Sequence, residues 1–131
     1  MNDLTSKIIK AAYNVHNTLG AGYLEKVYKN AMIIELEEMG INLEYEFPIK
    51  VRYKHKCVGE YIADIIVEDS IIIELKAVEN LHAIHEVQLV NYLKGTGIET
   101  GLLINFGTKV TVKKKFRTYE RQDTIIDKTL F

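Results

Sequence analysis

Two consecutive apolar segments, each interrupted by charged residues, constrain the fold of this chain more than any other feature. Residues 60–67 (EYIADIIV) and 71–78 (IIIELKAV) are rich in β-branched residues, and a short polar connection joins them. This arrangement predicts a β-hairpin. Both faces of the two predicted strands are largely apolar, so we expect the strands to be central in a sheet and covered on both sides.

The charged residues in these strands predict a compact cluster. Asp64 interrupts the first strand, and Glu74 and Lys76 interrupt the second. Glu74 and Lys76 share one face because side chains alternate along a strand. If the turn centres on Asp69, Asp64 and Glu74 lie directly opposite each other. Opposed carboxylates in an apolar sheet repel each other and lose hydration, which is unfavourable unless another group compensates.

Two kinds of compensation are open from the spacing alone. Lys76 can neutralise one carboxylate, which would make the cluster a buried structural feature without chemistry. Alternatively, a divalent cation such as Mg²⁺ or Mn²⁺ can bridge both carboxylates, since these ions prefer oxygen ligands.

The other segments predict helices before the hairpin and an α-β-β unit after it. Periodicity predicts helices over 4–19, 23–39 and 82–94 and strands over 43–53, 101–106 and 110–117. Pro48 favours an edge position or a bulge for the strand that contains it. The order α-α-β-β-β-α-β-β indicates an α/β (α+β) fold, a mixed β-sheet flanked by helices. We expect one domain over residues 1–131.

Charge and composition exclude several classes of protein. The net charge of −1 excludes a uniformly basic nucleic-acid-binding protein, although charge can still be segregated on the surface. The single cysteine excludes an internal disulfide or a multi-cysteine zinc site. The first residues lack the pattern of a signal peptide, and no apolar run approaches the length of a membrane span. We therefore expect a cytoplasmic protein without a membrane partner.

Several motifs resemble a known superfamily. Asp64 followed by Glu74-Leu75-Lys76 resembles the D…ExK core of the PD-(D/E)XK nucleases, with Ala63 in place of the proline. Gly22-Tyr23-Leu24-Glu25-Lys26-Val27-Tyr28 matches the pattern that names the GxxExxY family, a branch of that superfamily. Further similar segments follow in the same order over about residues 5–117, namely 16–22, 61–64, 73–77, 85–93 and 101–106.

The resemblance implies a restriction-endonuclease-like core of four mixed strands flanked by helices. It also implies that Asp64 and Glu74 hold Mg²⁺ (or Mn²⁺) and that Lys76 positions or activates the attacking water. Glu25 fits the glutamate that often completes the acidic site. Gln88 and Tyr92 match a Gln-x-x-x-Tyr motif of the recombination-type exonuclease branch.

Each of the outlying residues also has an interpretation without chemistry. A glutamate at the position of Glu25 is favoured by the helix dipole. The stripe of His85, Gln88 and Tyr92 on the third helix is also typical of a solvated helix face.

The favoured function is a metal-dependent nuclease that hydrolyses phosphodiester bonds of DNA or RNA. The alternative is a catalytically silent nuclease-fold module that binds nucleic acid or a protein partner. A homodimer would enlarge the surface available to grip a duplex. Lys113, Lys115 and Arg117 share one face of the last strand and are expected to contact phosphates there. Alternatively, they discourage aggregation of an edge strand.

Overall fold

A five-stranded sheet with helices on both faces forms the fold in the computed structural model, which describes residues 3–117. The elements are α1 (Asp3–Leu19), α2 (Glu25–Glu38), β1 (Leu43–Tyr53), β2 (Lys56–Val67), β3 (Ile71–Lys76), α3 (Ala83–Thr96), β4 (Thr100–Phe106) and β5 (Val110–Phe116). This order confirms the predicted order of elements. The domain expected over residues 1–131 extends at both ends outside the described residues.

The sheet is mixed, and its strands lie in chain order from β1 to β5. Only β3 and β4 are parallel, because α3 connects them as a crossover. Pro48 lies in β1, which is an edge strand, as its missing N–H requires. The described part of the chain has five strands, as the predicted order of elements requires.

The β2–β3 hairpin has the register that was predicted from a turn centred on Asp69. Its pairs are Ile65 with Ile73, Ile66 with Ile72 and Val67 with Ile71. Glu68 and Asp69 turn the chain with φ of +52° and +54°. The same register, continued by one pair, brings Asp64 opposite Glu74.

Two apolar cores lie on opposite faces of the sheet. On one face α1 and α2 contribute residues such as Ile8, Tyr28 and Met32, which pack with Ile73 of β3 and other strand residues. On the other face α3 packs on the sheet through residues such as Leu89. The first five residues of β3 are buried, which confirms that this strand is central and covered on both sides.

The outer half of β2 differs from the prediction. We expected the strand to begin at residue 60, but it begins at Lys56 and pairs with the end of β1 as a long hairpin. Residues 56–62 are mostly exposed, whereas residues 63–67 are mostly buried. Only the inner half of β2 is therefore covered by helices. None of the helices within residues 3–117 is long and apolar enough to span a membrane.

The end of β3 is set by a side chain that strand patterning does not reveal. The prediction extended this strand to Val78, but it ends at Lys76. The Val78 N–H donates to Asn105 Oδ1 at 2.9 Å, and Asn105 Nδ2 donates to the Val78 carbonyl at 2.8 Å. The amide of Asn105 thus takes the place of a neighbouring strand, so the chain turns away after Lys76.

Gly101 allows α3 to pack closely on the sheet. A Cβ atom at this position would lie 2.8 Å from Cδ1 of Leu89, which is fully buried. Since this separation is shorter than carbon contacts allow, any side chain at position 101 forces the helix away from β4.

We expect Gly101→Ala to lower the free energy of unfolding by about 1–3 kcal/mol through overpacking against Leu89. Gly59→Ala is the matched control, because a Cβ atom at Gly59 meets nothing within 4 Å. Urea denaturation of both variants measures the difference. Equal stability of the two variants would contradict the close approach of α3 to β4.

Candidate active site

The site forms where β2 leaves the regular hydrogen-bonding ladders of both neighbouring strands. Along β1, pairing passes from Tyr45 with Ile65 to Phe47 with Ala63, so Asp64 is skipped. Along β3, the ladder reaches Ile65 and is not continued to Asp64. The register with β1 is the same on both sides of Asp64, so the interruption is a missing pair and not an inserted residue.

The irregularity also changes which face of the sheet β2 residues cover. Ile65 packs on the side of α1 and α2, whereas Ala63 and Ile66 both pack on the side of α3. Two residues three positions apart cannot share a face of a regular strand. Asp64 therefore lies at the point where the strand rotates between the two cores.

Two reciprocal hydrogen bonds join the strands where the ladder is interrupted. The Asp64 N–H donates to Glu74 Oε2 at 2.8 Å, and the Leu75 N–H donates to Asp64 Oδ2 at 2.8 Å. Each carboxylate thus takes the place of a missing backbone acceptor. Among residues 3–117, no hydrogen-bond donor is described for the second oxygen of either carboxylate. These two oxygens are the ones that remain for a ligand.

Burial disfavours the ionised form of both carboxyls. Glu74 is only 6% exposed, and burial raises its pKa to about 8, with a further rise from the Asp64 charge. Burial also raises the pKa of Asp64, while the Leu75 N–H and the charges of Lys29 and Lys76 oppose the rise. Burial therefore favours the protonated form of both carboxyls more than the neighbouring donors and cations favour the charged form.

Lys76 and Lys29 are the cations that partly compensate the charge of the pair. Lys76 is half-buried at the end of β3, and its charge lowers the pKa of Glu74. Lys29 lies on α2 and forms an ion pair with Glu46 at 3.1 Å. Sequence reasoning missed Lys29, although it follows Glu25 by four residues and therefore shares its helix face.

Glu25 contributes charge from the first residue of α2. Its side chain is solvent-accessible, yet partial burial of the carboxyl raises its pKa, with opposition from Lys76 and a further rise from Asp64. No three His, Cys, Asp or Glu side chains within residues 3–117 form a group that could hold a metal ion. Participation of Glu25 in a metal site with Asp64 and Glu74 therefore stays a prediction.

Tyr28, the last residue of the G-x-x-E-x-x-Y motif, fixes the loop before Glu25. Its hydroxyl donates to the Gly20 carbonyl at 2.6 Å and accepts from the Tyr23 N–H at 3.2 Å. Its ring stacks on Phe106 at 4.5 Å between centroids. Gly20 has a φ of +76°, which glycine adopts without strain. The motif tyrosine therefore determines where α2 begins and where Glu25 lies.

Tyr92 of α3 lies within electrostatic range of the pair. Burial raises its pKa to about 12, and the charges of Glu74 and Asp64 contribute to the rise. Its ring lies 5.7 Å from the ring of Tyr61 on β2. Tyr92 therefore keeps its proton and can act as a hydrogen-bond donor beside the carboxylates.

His85 and Gln88 occupy the same stripe of α3, two turns and one turn before Tyr92. Burial and the charges of Lys76 and His82 lower the pKa of His85. Gln88 is half-buried between His85 and Tyr92. A role of Gln88 and Tyr92 in the site stays a prediction.

The chemistry of these donors fits a hard divalent cation. Two carboxylates lie close together, each has an oxygen without a described donor, and burial raises the pKa of both. Mg²⁺ is commonly bound by one or two carboxylates together with waters and substrate phosphate. A pair of carboxylates is therefore sufficient for such an ion.

The basic residues of β5 are partly engaged within the protein. Lys115 forms an ion pair with Glu86 at 3.0 Å, and Arg117 forms one with Glu99. Lys113 is exposed. Contact of this strand with phosphates stays a prediction, and two of its three cations already have carboxylate neighbours.

Comparisons with known proteins agree with this geometry. The sequence pattern of the PD-(D/E)XK nuclease superfamily matches residues 2–119. No curated protein sequence matches the chain. The crystal structure of SSO0001 is similar at a TM-score of 0.59 and 21% identity, over 77% of this chain and 53% of that one. The chain therefore spans about half the length of that protein.

A second solved structure is similar over almost the whole chain. It is an alkaline exonuclease (LHK-Exo) from Laribacter hongkongensis, with a TM-score of 0.52 and 12% identity, over 96% of this chain and 75% of that one. At these identities the two structures show the fold. The match of the superfamily's sequence pattern over residues 2–119 shows that the chain belongs to the PD-(D/E)XK nuclease superfamily.

Proposed function

We propose that this protein is a metal-dependent nuclease that hydrolyses phosphodiester bonds of DNA or RNA at the Asp64–Glu74 pair. The observation that carries the proposal is the reciprocal bonding of the two carboxylates to the interrupted strands, with Lys76 beside them. A structural ion pair would neutralise these charges, whereas here burial leaves the pKa of Glu74 raised to about 8.

Asp64 and Glu74 would hold the cation through the oxygens that the backbone N–H groups leave open. A divalent cation bound there polarises the scissile phosphate and lowers the pKa of bound water. Members of the superfamily generally use divalent metals, and we propose Mg²⁺ or Mn²⁺ for this chain.

Lys76 and Tyr92 supply hydrogen-bond donors at the same place. The Lys76 ammonium orients the attacking water and offsets the negative charge that develops on the phosphate oxygens. The Tyr92 hydroxyl and the Gln88 amide can donate to a phosphate oxygen from α3. Glu25 adds negative charge at longer range, which favours cation binding at the pair.

We also propose three finer assignments. Membership of the GxxExxY branch is supported by Gly22, Glu25 and Tyr28, since the tyrosine holds the loop that places the glutamate. A cytoplasmic location and a homodimer remain predictions from the sequence. Cell fractionation tests the location, and measurement of the molar mass in solution by light scattering tests the dimer.

Asp64→Asn and Glu74→Gln are each expected to lower cleavage by about 10²-fold or more, because an amide cannot supply the charge that the cation needs. Lys76→Gln is expected to lower it similarly. Cleavage is measured on single-stranded and duplex DNA and RNA with Mg²⁺ and with Mn²⁺, and circular dichroism checks that each variant is folded.

Asp69→Asn is the matched control for the loss of one carboxylate. Asp69 lies on the same hairpin at a φ of +54°, a conformation that asparagine tolerates, so this variant is expected to keep its activity. If the unmodified protein cleaves none of the substrates with either ion but binds nucleic acid, it is a silent binding module and the proposed activity is wrong.

The pH dependence of stability provides a test that does not need a substrate. Glu74 has a pKa of about 8 in the folded protein against an ordinary value of 4.5, so the folded state holds a proton that the unfolded chain has lost. The stability from this proton is fully present below about pH 4.5 and is lost as the pH rises through about 8. Asp64 and Glu25 shift in the same direction.

We therefore expect the Tm of the metal-free protein to fall more steeply between about pH 5 and about pH 9 than the Tm of Glu74→Gln. The glutamine oxygen can still accept the Asp64 N–H, so the variant keeps the hydrogen bond.

Near pH 9, Mg²⁺ at about 100 times its Kd should stabilise the unmodified protein by about 2.7 kcal/mol. Parallel curves without metal, or equal Mg²⁺ stabilisation of both proteins, would contradict the assignment.

A further inference from the structure

An open groove runs between the projecting β1–β2 hairpin and α3. Its volume is about 1080 Å³. Residues of the outer hairpin line one wall, and the last two turns of α3 line the other. The charged and aromatic residues of the lining are Lys50, Arg52, Tyr53, Tyr61, Tyr92 and Lys94.

Two lining residues connect the groove with the elements of the candidate active site, although Asp64 and Glu74 are not among its lining residues. Tyr92 lines the groove, and its ring lies 5.7 Å from the ring of Tyr61. Tyr61 also lines the groove and lies three residues before Asp64 on the same strand. The groove therefore runs along the strand that carries Asp64.

The charge of the groove is opposite to the charge of the site. Lys50, Arg52 and Lys94 line it, and none of its lining residues is an aspartate or a glutamate. The whole chain has a net charge of −1, so these cations are concentrated rather than typical of the surface. A second cavity of about 380 Å³ near β1 is lined by both Glu44 and Asp69, and it lacks this bias.

Aromatic and apolar surface is exposed in the same groove. Tyr61 is 48% exposed and Tyr53 is 56% exposed, although both carry large rings. Val51 and Val58 are exposed beside them. Exposed apolar surface gathered at one place indicates a binding surface. Cationic grooves with aromatic platforms are the arrangement that binds single-stranded nucleic acid.

We propose that this groove binds a single-stranded segment of nucleic acid and leads it to the carboxylate pair. The inference rests on the proposed nuclease function and names the substrate class. Bases stack on Tyr61 and Tyr53, while Lys50 and Arg52 contact the phosphates. A duplex does not fit this chemistry, because the faces of paired bases are covered by their neighbours in the stack.

A binding experiment tests the groove independently of cleavage. The full chain carries Glu74→Gln to prevent hydrolysis, and no divalent cation is added. Fluorescence anisotropy measures affinity for a labelled single-stranded oligonucleotide and for the same sequence as a duplex. Tyr61→Leu is expected to weaken single-strand binding by about tenfold, since it removes one stacking platform and keeps an apolar side chain.

The salt dependence of the affinity tests whether the groove cations contact phosphates. Lys50→Gln together with Arg52→Gln should reduce the slope of log affinity against log salt by about 1.4, or about 0.7 for each phosphate contact with a single strand. Lys7→Gln together with Lys10→Gln is the matched control. Both lysines are exposed on α1, which packs on the opposite face of the sheet.

A fluorescent reporter tests the stacking directly. The chain has no tryptophan, so Tyr61→Trp introduces a single indole into the groove. A single-stranded oligonucleotide should quench its fluorescence, whereas Tyr13→Trp on the exposed face of α1 should not respond. Tyr13 is 47% exposed, similar to Tyr61.

The outcomes separate the two proposals. If the groove variants lose affinity for the single strand and the control variants do not, the result supports binding of single-stranded nucleic acid in the groove. Unchanged affinity in the groove variants, tighter binding of the duplex, or a groove-dependent change in oligomeric state instead of nucleic-acid binding overturns it. If the groove proposal is overturned in one of these ways but the protein with Glu74 intact cleaves nucleic acid, the proposed nuclease function is still supported. Absence of both cleavage and nucleic-acid binding overturns both proposals.

Discussion

The rest of the site depends on two hydrogen bonds between β2 and β3 in which carboxylate oxygens, in place of backbone carbonyls, accept from backbone N–H groups. A regular ladder at this point would pair the backbones of Asp64 and Glu74 and would push both side chains out to the faces of the sheet. Because the ladder is interrupted, the Asp64 N–H donates to Glu74 and the Leu75 N–H donates to Asp64. The carboxylates are held between strands instead of on flexible side chains, and their positions follow from the backbone.

This arrangement is unfavourable for stability unless the charges are compensated. The two N–H donors and Lys76 lower the free energy of the ionised forms, but burial and mutual repulsion exceed them, as the raised pKa of Glu74 shows. The surrounding sheet can hold these buried carboxyls in place because β3 is buried on both faces and paired on both sides. Stored electrostatic free energy at a rigid place in a fold is typical of functional sites.

Local patterns in the sequence predicted most of the fold and the centre of the site. The turn at Asp69 determined the hairpin register, so strand alternation and turn position alone were enough to place Asp64 and Glu74 opposite each other. Patterning did not reveal that β2 begins at Lys56, because its outer residues are exposed on a long hairpin and lack an apolar alternation. The role of Lys29 was also missed, since its approach to the site depends on how α2 packs on the sheet.

Along the proposed substrate path, the positive charges lie in the groove that binds the substrate and the negative charges lie at the carboxylate pair where it is hydrolysed. A strongly acidic centre repels a polyanion, so a ligand must gain its binding free energy elsewhere and reach the carboxylates already bound. The lining cations of the groove and the exposed rings of Tyr53 and Tyr61 can provide that free energy without neutralising Asp64 and Glu74. Lys76 and Lys29 already compensate the pair in part, and further cations placed at the carboxylates would form ion pairs and compete with the metal that the proposed hydrolysis needs. Tyr92 lines the groove and keeps its proton, so it offers a hydrogen-bond donor to a bound phosphate without adding a charge of its own.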